Sequence, residues 1–253
     1  ITLVGNHPFY KPAVSFSINK SDVVTSVSES LKQQTYDLFN ITKEIHVIPN
    51  FIELNNNIND PRIPCMRSAI AKPGERIITH VSNFRKVKRI PDVIKIFAKI
   101  QEKIPAKLLM VGDGPEKAAA EDLCRKLGIL EKVLFLGNSN EIDQILSYTD
   151  IFLLPSETES FGLAALEAMA WSVPVISSNS GGLPEVNIDG ISGFLSPVGD
   201  VDSMAANALS ILENDEMLAI FKKNALDIAK TFDIKNILPL YEDLYRKILN
   251  KEL

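Results

Sequence analysis

Two glutamates, Glu159 and Glu167, stand with seven residues between them in the stretch Ser156-Glu157-Thr158-Glu159-Ser160-Phe161-Gly162-Leu163-Ala164-Ala165-Leu166-Glu167-Ala168-Met169-Ala170. The short apolar run Ile151–Leu154 precedes it, so the stretch leaves a buried strand and opens a helix. That position suits two kinds of chemistry. The free N–H groups and partial positive charge of a helix start favour a diphosphate, and Gly162 allows a ligand close to the backbone. Carboxylates beside such a site do not bind phosphate, but each can accept two hydrogen bonds from a sugar's vicinal diol. Either acid alone also fits the ordinary preference for acidic residues in a first helical turn. The pair, with Phe161-Gly162 between and a buried strand before, reads as a ligand site.

A second cluster, Ser82-Asn83-Phe84-Arg85-Lys86-Val87-Lys88-Arg89, follows the apolar run Ile77–Val81. Such basic clusters are usually solvated patches. At a strand end in an acidic chain, the cluster could instead neutralise a diphosphate leaving group, on which charge builds as its bond breaks. Three further segments end strands: Val111-Gly112-Asp113-Gly114-Pro115, Ser180-Gly181-Gly182-Leu183-Pro184-Glu185 and Asn138-Ser139. The first two read equally well as plain turns; the backbone at Asn138 could meet a base, though any loop after a strand would read the same.

These segments need a scaffold that brings strand ends together, and the apolar pattern supplies one. Short β-branched runs alternate with longer helical stretches, as in parallel α/β proteins. Strands are expected at Val23–Val27, Ile45–Ile48, Ile77–Val81, Lys107–Val111, Val133–Leu136, Ile151–Leu154, Val173–Ser177 and Gly193–Leu195. Helices are expected over about 29–39, 91–101, 141–148 and 161–171, with another ending at Leu127 before Gly128. The remainder, 201–253, reads as helical, with Pro239 kinking or restarting it. Glu53–Glu75, with Asn55-Asn56-Asn57, Pro61, Pro64 and Pro73-Gly74, reads as a linker and domain boundary. The fold class is therefore α/β, a doubly wound parallel sheet, which binds ligands at the carboxyl ends of its strands.

The stretch around Glu159 resembles the E-x7-E motif of the family 4 retaining glycosyltransferases, whose GT-B fold has two facing Rossmann-like domains. The resemblance implies that Glu159 meets the transferred sugar and Glu167 holds the nucleotide's ribose. Backbone amides around Ser160, Phe161, Gly162 and Leu163 would face sugar and diphosphate. Family members commonly carry an arginine and a lysine five positions apart in the basic loop. Here Asn83 stands five before Lys88, and the nearest arginine is Arg85. Lys88, Arg85 and Glu159 are the implied catalytic set, with Asn83, Asn138 and Glu167 on the nucleotide sugar. By the same resemblance, residues 1–50 end a first, acceptor-side domain. Residues 51–232 form the nucleotide-sugar domain, and 233–253 a helix crossing back. Ile1-Thr2-Leu3-Val4-Gly5, Pro8-Phe9-Tyr10-Lys11-Pro12 and Ser82-Asn83-Phe84-Arg85 are most similar to the family branch that joins N-acetylglucosamine to L-malate in bacillithiol synthesis. UDP-N-acetylglucosamine is then the donor and a small dicarboxylic acid the acceptor.

Composition narrows the alternatives. The 253 residues carry 27 basic and 32 acidic side chains, a net charge of −5, which argues against nucleic acid as the main partner. No apolar run approaches a bilayer span, so stable membrane insertion is not expected. Cys65 and Cys124 lack metal-ligand spacing, which fits a reduced cytoplasm. Asp200-Val201-Asp202 precedes a helix and reads as an N-cap in place of a metal site. No metal or other cofactor is expected, the UDP-sugar being a co-substrate. His46 and His80 lie in expected strands and read as packing residues. The opening Ile1 reads like the interior of a protein, so an N-terminal portion is expected to be missing. Rival readings are a family 4 transferase with a polysaccharide or lipid-linked acceptor, a UDP-sugar epimerase, and a non-catalytic nucleotide-sugar-binding module. A homodimer stays open, because a dimer face has no sequence signature.

Overall fold

A computed structural model describes residues 7–54 and 63–252. The expectations placed on Ile1–Asn6, Asn55–Asn57 and Pro61 lie outside the described residues. The chain divides into two compact units, residues 1–53 with 232–253 and residues 54–231.

The first unit contains helix α1 (Lys11–Lys20), strand β1 (Val24–Ser26), helix α2 (Glu29–Leu38) and strand β2 (Ile45–Val47). β1 and β2 pair in parallel, with Val24 opposite Ile45. Ser28 starts α2 as an N-cap, its hydroxyl accepting from the Leu31 amide at 3.0 Å.

The larger unit begins with helix α3 (Ile63–Ile70), inside the segment that reads in sequence as a linker. Prolines favour the linker reading, yet Pro64 falls in the helix's first turn, where its missing N–H costs nothing. Next along the chain are strand β3 (Arg76–Val81), a single 3₁₀ turn (Lys86–Lys88), helix α4 (Ile90–Gln101), strand β4 (Ala106–Val111), helix α5 (Lys117–Lys126) and strand β5 (Val133–Gly137). After them come helix α6 (Ile142–Ser147), strand β6 (Ile151–Leu154), helix α7 (Leu163–Ala170), strand β7 (Val175–Ser178), short helix α8 (Leu183–Val186) and strand β8 (Gly193–Ser196). Helices α9 (Val201–Leu212) and α10 (Asp215–Thr231) close the unit, and α11 (Ile234–Leu249) belongs to the first one.

Six strands form one parallel sheet in the order β5-β4-β3-β6-β7-β8. This is the doubly wound arrangement, in which the strand order reverses between β3 and β6 and leaves a crevice at their carboxyl ends. The central strands are mostly apolar because both of their faces are covered. Ile78, Leu108, Met110, Ile151 and Leu153 join the core on one face. Ile77, Leu109 and Val111 join the core on the other, with Ile145 and Tyr148. Helix α4 buries Ile90, Val93, Ile94, Phe97 and Ile100 completely, on a helical repeat that turns one stripe toward the sheet. Each such side chain contributes roughly 1.5–3 kcal/mol relative to exposure.

The C-terminal helical segment breaks at other places than Pro239. The interruptions fall at Asn214 and at Phe232-Asp233, and α11 runs on through Pro239. Asp233 caps α11, its carboxylate accepting from the Lys235 amide at 2.8 Å. Ile52 bridges to the same point, its amide donating to the Phe232 carbonyl and its carbonyl accepting from the Ile234 amide. Ile237 and Leu244 of α11 pack with Ile48 to form the first unit's small core. Asp200 caps α9 by accepting from the Ser203 amide at 3.0 Å. Asp202 pairs with Lys99 at 2.7 Å.

Candidate donor-binding cleft

An open cleft of about 440 Å³ lies at the crossover end of the larger unit's sheet. That volume is in the range of small-molecule sites. Its walls come from the ends of β3 (Val81, Ser82, Asn83, Lys88), β4 (Val111, Gly112) and β5 (Asn138, Ser139), with Ile142 of α6 and Leu163, Ala164 and Glu167 of α7.

Three loops are knitted together to hold the charged groups. The Glu157 amide donates to the Val87 carbonyl at 2.8 Å, tying the loop after β6 to the loop after β3. The Ser180 hydroxyl donates to the Glu157 carbonyl at 2.7 Å, and the Gly182 amide to the Glu159 carbonyl at 2.9 Å. Gly181 has φ +58°, and a Cβ there would lie 2.0 Å from the Glu159 carbonyl oxygen. A side chain at this position would push the acidic loop away. The turn after β4 works the same way: a Cβ on Gly112 would lie 1.8 Å from the Ser82 carbonyl oxygen. Both glycine-bearing segments, which in sequence read as plain turns, are thus seats for the neighbouring loops.

Within this frame Lys88 Nζ donates to Glu159 Oε1 at 2.5 Å. Both side chains are mostly shielded, at 21% and 14% exposure, yet Lys88 lines the open cleft. Glu167, half-buried in the same cleft, has its carboxyl pushed above the usual range by burial, and further by the carboxylate of Asp143. Asp143 in turn accepts from Trp171 Nε1 at 3.0 Å. Gly162 is the N-cap of α7 at φ +101° and lies buried against Leu183.

Of the residues singled out from sequence, Asn83, Lys88, Asn138, Leu163 and Glu167 line the cleft, and Glu159 joins it through Lys88. Arg85 and Ser160 are exposed and Phe161 is buried, and none of the three is among the lining residues. Ser82 and Gly112 line the cleft from within segments singled out in sequence, without a role having been assigned to either, and Ile142 lines it without having been singled out. Ser82 had a readable signal, since it is the first residue past β3, where doubly wound sheets place ligand contacts.

His80 is completely buried, as a packing histidine should be, but both ring nitrogens are engaged. Nδ1 lies 2.8 Å from the Leu153 carbonyl and Nε2 2.7 Å from Ser82 Oγ. Burial drives its pKa down to about 4, against the Leu153 bond and with help from the nearby Lys88 charge.

A doubly wound sheet that gathers carboxylates and a lysine at its crossover end places polar groups where sheets of this class bind ligands. Residues 65–227 match the family described as glycosyl transferases group 1, and the chain belongs to that family. Its relatives include the N-acetyl-alpha-D-glucosaminyl L-malate synthase of Bacillus anthracis, 39% identical over 253 residues, covering 100% of this chain and 66% of the relative. A glycosyltransferase of Methanocaldococcus jannaschii is 32% identical over 91% of this chain and 61% of its own length. The chain thus spans somewhat under two thirds of these relatives. In fold it is similar to a sucrose-phosphate synthase of Thermosynechococcus elongatus, with a TM-score of 0.86 and 23% identity over 99% of this chain and 65% of the other. Anabaena HepE, solved in complex with UDP-glucose, gives a TM-score of 0.83 at 23% identity, over 93% of this chain and 67% of its own. These likenesses establish the GT-B glycosyltransferase fold. Among the described residues, no helix is long and apolar enough to cross a membrane.

Proposed function

We propose that the chain carries the donor site of a retaining transferase that moves N-acetylglucosamine from UDP-N-acetylglucosamine to a small dicarboxylic acceptor, L-malate. The observation that carries this reading is the Lys88–Glu159 pair at 2.5 Å at a cleft that Glu167 also lines. A cation for the diphosphate and two carboxylates for hydroxyl-rich groups are the minimum set such a donor needs. The acceptor assignment rests on the 39% identity to the synthase of Bacillus anthracis, and a UDP-sugar as donor is supported by the likeness to HepE solved with UDP-glucose.

In this reading Glu167 accepts from the ribose diol, Asn138 faces the base, and Glu159 turns to hydroxyls of the transferred sugar. Lys88 and the amides at the start of α7 stabilise the departing UDP, and Arg85, exposed and outside the cleft lining, has no role in this reading. The acceptor hydroxyl attacks the anomeric carbon on the face that UDP leaves. The carbon–oxygen bond to UDP breaks, the new glycosidic bond forms, and the hydroxyl proton passes to a phosphate oxygen. The α configuration is retained, and no metal or protein nucleophile takes part. The protein's contribution is positioning and charge stabilisation.

The Lys88–Glu159 pair gives this reading a sharp test. Without donor, Glu159 occupies the cation that the diphosphate needs. Glu159→Gln is expected to bind UDP at least as tightly as wild type while losing sugar transfer to L-malate. Calorimetry and a transfer assay on the full-length protein measure the two separately. Weaker UDP binding together with undiminished transfer would overturn the roles given to this pair.

A further inference from the structure

Resting on that donor-site reading, we infer that Ser82 is an acceptor-only contact for a hydroxyl or N–H of the nucleotide sugar, and that buried His80 is the positioning residue that makes it so. The Leu153 carbonyl can only accept, so its 2.8 Å contact requires the proton of His80 to sit on Nδ1. A neutral imidazole then has a bare Nε2, which accepts the Ser82 hydroxyl proton at 2.7 Å. Complete burial of His80 removes the alternative of a doubly protonated ring, and its lowered pKa agrees.

The consequence is felt in the cleft. A serine hydroxyl has one proton and two lone pairs. With its proton committed inward, Ser82 offers the cleft lone pairs alone. A diphosphate carries no proton to donate near neutral pH, so Ser82 gains nothing from it. A sugar hydroxyl, a ribose hydroxyl, an acetamido N–H or a base N–H can each donate to it. The cleft wall therefore has a sorted polarity: Lys88 recognises the anionic part of the donor, and Ser82 with Glu167 its protonated groups. The seat of Ser82 is fixed independently, since its amide donates to the Val111 carbonyl at 3.1 Å and its carbonyl fills the space above Gly112.

The test uses the full-length protein and two measurements. Calorimetric titration with UDP and with UDP-N-acetylglucosamine compares wild type with Ser82→Ala. Loss of one neutral hydrogen bond predicts about threefold to tenfold weaker binding of UDP-N-acetylglucosamine. Nitrogen-15 spectra of the His80 ring in wild type, free and with UDP-N-acetylglucosamine, should show a protonated Nδ1 and a bare Nε2 in both states. Unchanged or tighter binding of both ligands by Ser82→Ala overturns the inference, and so does a proton on Nε2. Wild-type protein that binds neither ligand would instead refute the donor-site reading beneath it.

Discussion

The two ends of the larger unit's sheet are both charged, and they use charge in opposite ways. At the amino end Asp150, only 5% exposed in its side chain, is closed in on every side. It accepts from the Ile77 amide at 2.8 Å and from Arg67 at 2.7 Å, with Lys222 at 3.4 Å. Arg67 also donates to the Tyr148 and Glu75 carbonyls, at 2.7 and 3.0 Å. Glu75 accepts from the Lys72 amide, which with Lys132 holds its carboxyl below the usual range against the cost of burial. Both buried carboxylates, Asp150 and Glu75, are thus answered by protein donors. At the carboxyl end Lys88 and Glu159 meet each other at an open cleft, and Glu167 carries a carboxyl that its surroundings do not stabilise as an anion. Charges that are fully answered hold a fold together. Charges left partly unanswered beside a cavity are available to a substrate, and they cost stability until one arrives.

If the two ends differ in this way, the strongest consequence is a loss of turnover without loss of fold. Lys88→Ala is expected to lower transfer by about 10²–10³ while costing clearly less stability in urea unfolding than loss of the fully enclosed Asp150. A variant that kept full turnover would remove Lys88 from the chemistry. Asp150→Ala is the mirror image. It strands Arg67 and the Ile77 amide, and should cost about 3 kcal/mol of stability. UDP affinity of the folded fraction should not change. If Asp150→Ala lost affinity at full stability, the two ends would not be distinct.

A weaker effect comes from His80, which lies between these extremes because it is both buried and joined to a cleft residue. Its pKa falls from an ordinary 6.5 to about 4 in the folded chain. The unfolded chain therefore binds the extra proton first. Stability is full above pH 6.5 and declines as pH falls toward 4, with about 2 kcal/mol lost by pH 5. His80→Phe should flatten this part of a denaturation series between about pH 7 and pH 5, even if it lowers stability overall. The weakest effect lies on the cleft side. Glu167 has a raised carboxyl pKa when folded, so its ionised form weakens the fold at neutral pH. Glu167→Gln should raise the melting temperature at neutral pH, and the gain should fade as pH drops through 4.5 and vanish well below it, where the acid is neutral in both states. A variant equally stabilising at both pH values would trace the gain to packing instead.

Much of this is legible from residue types. The run Ile151–Leu154 is continuous and apolar because β6 is buried on both faces, and the E-x7-E stretch comes directly after it, so strand, loop and helix can be placed together. The basic loop is legible for the same reason, since Ile77–Val81 marks the strand that presents it. The hidden features depend on partners far along the chain. Lys88 finds Glu159 71 residues away, and His80 finds Leu153 73 residues away, and no local pattern announces either. Asp150 gives no signal because a lone acid before a strand looks like a solvated cap until Arg67 and Lys222 surround it. Helix α3 is obscured by prolines that suggest a linker, although one of them falls in a helix's first turn. Pro239 misleads in the other direction: α11 continues through it, and the chain turns at Asp233, a residue whose capping role depends on the helix beyond it.

That the cleft is a UDP-sugar site with Glu167 on the ribose can be tested directly by calorimetric titration of UDP into wild type and Glu167→Ala. Saturable binding by wild type is expected, with at least about tenfold weaker binding by the variant, since a carboxylate accepting from a hydroxyl pair is worth about 1.5–3 kcal/mol. Equal UDP affinity in the two proteins would contradict the assignment.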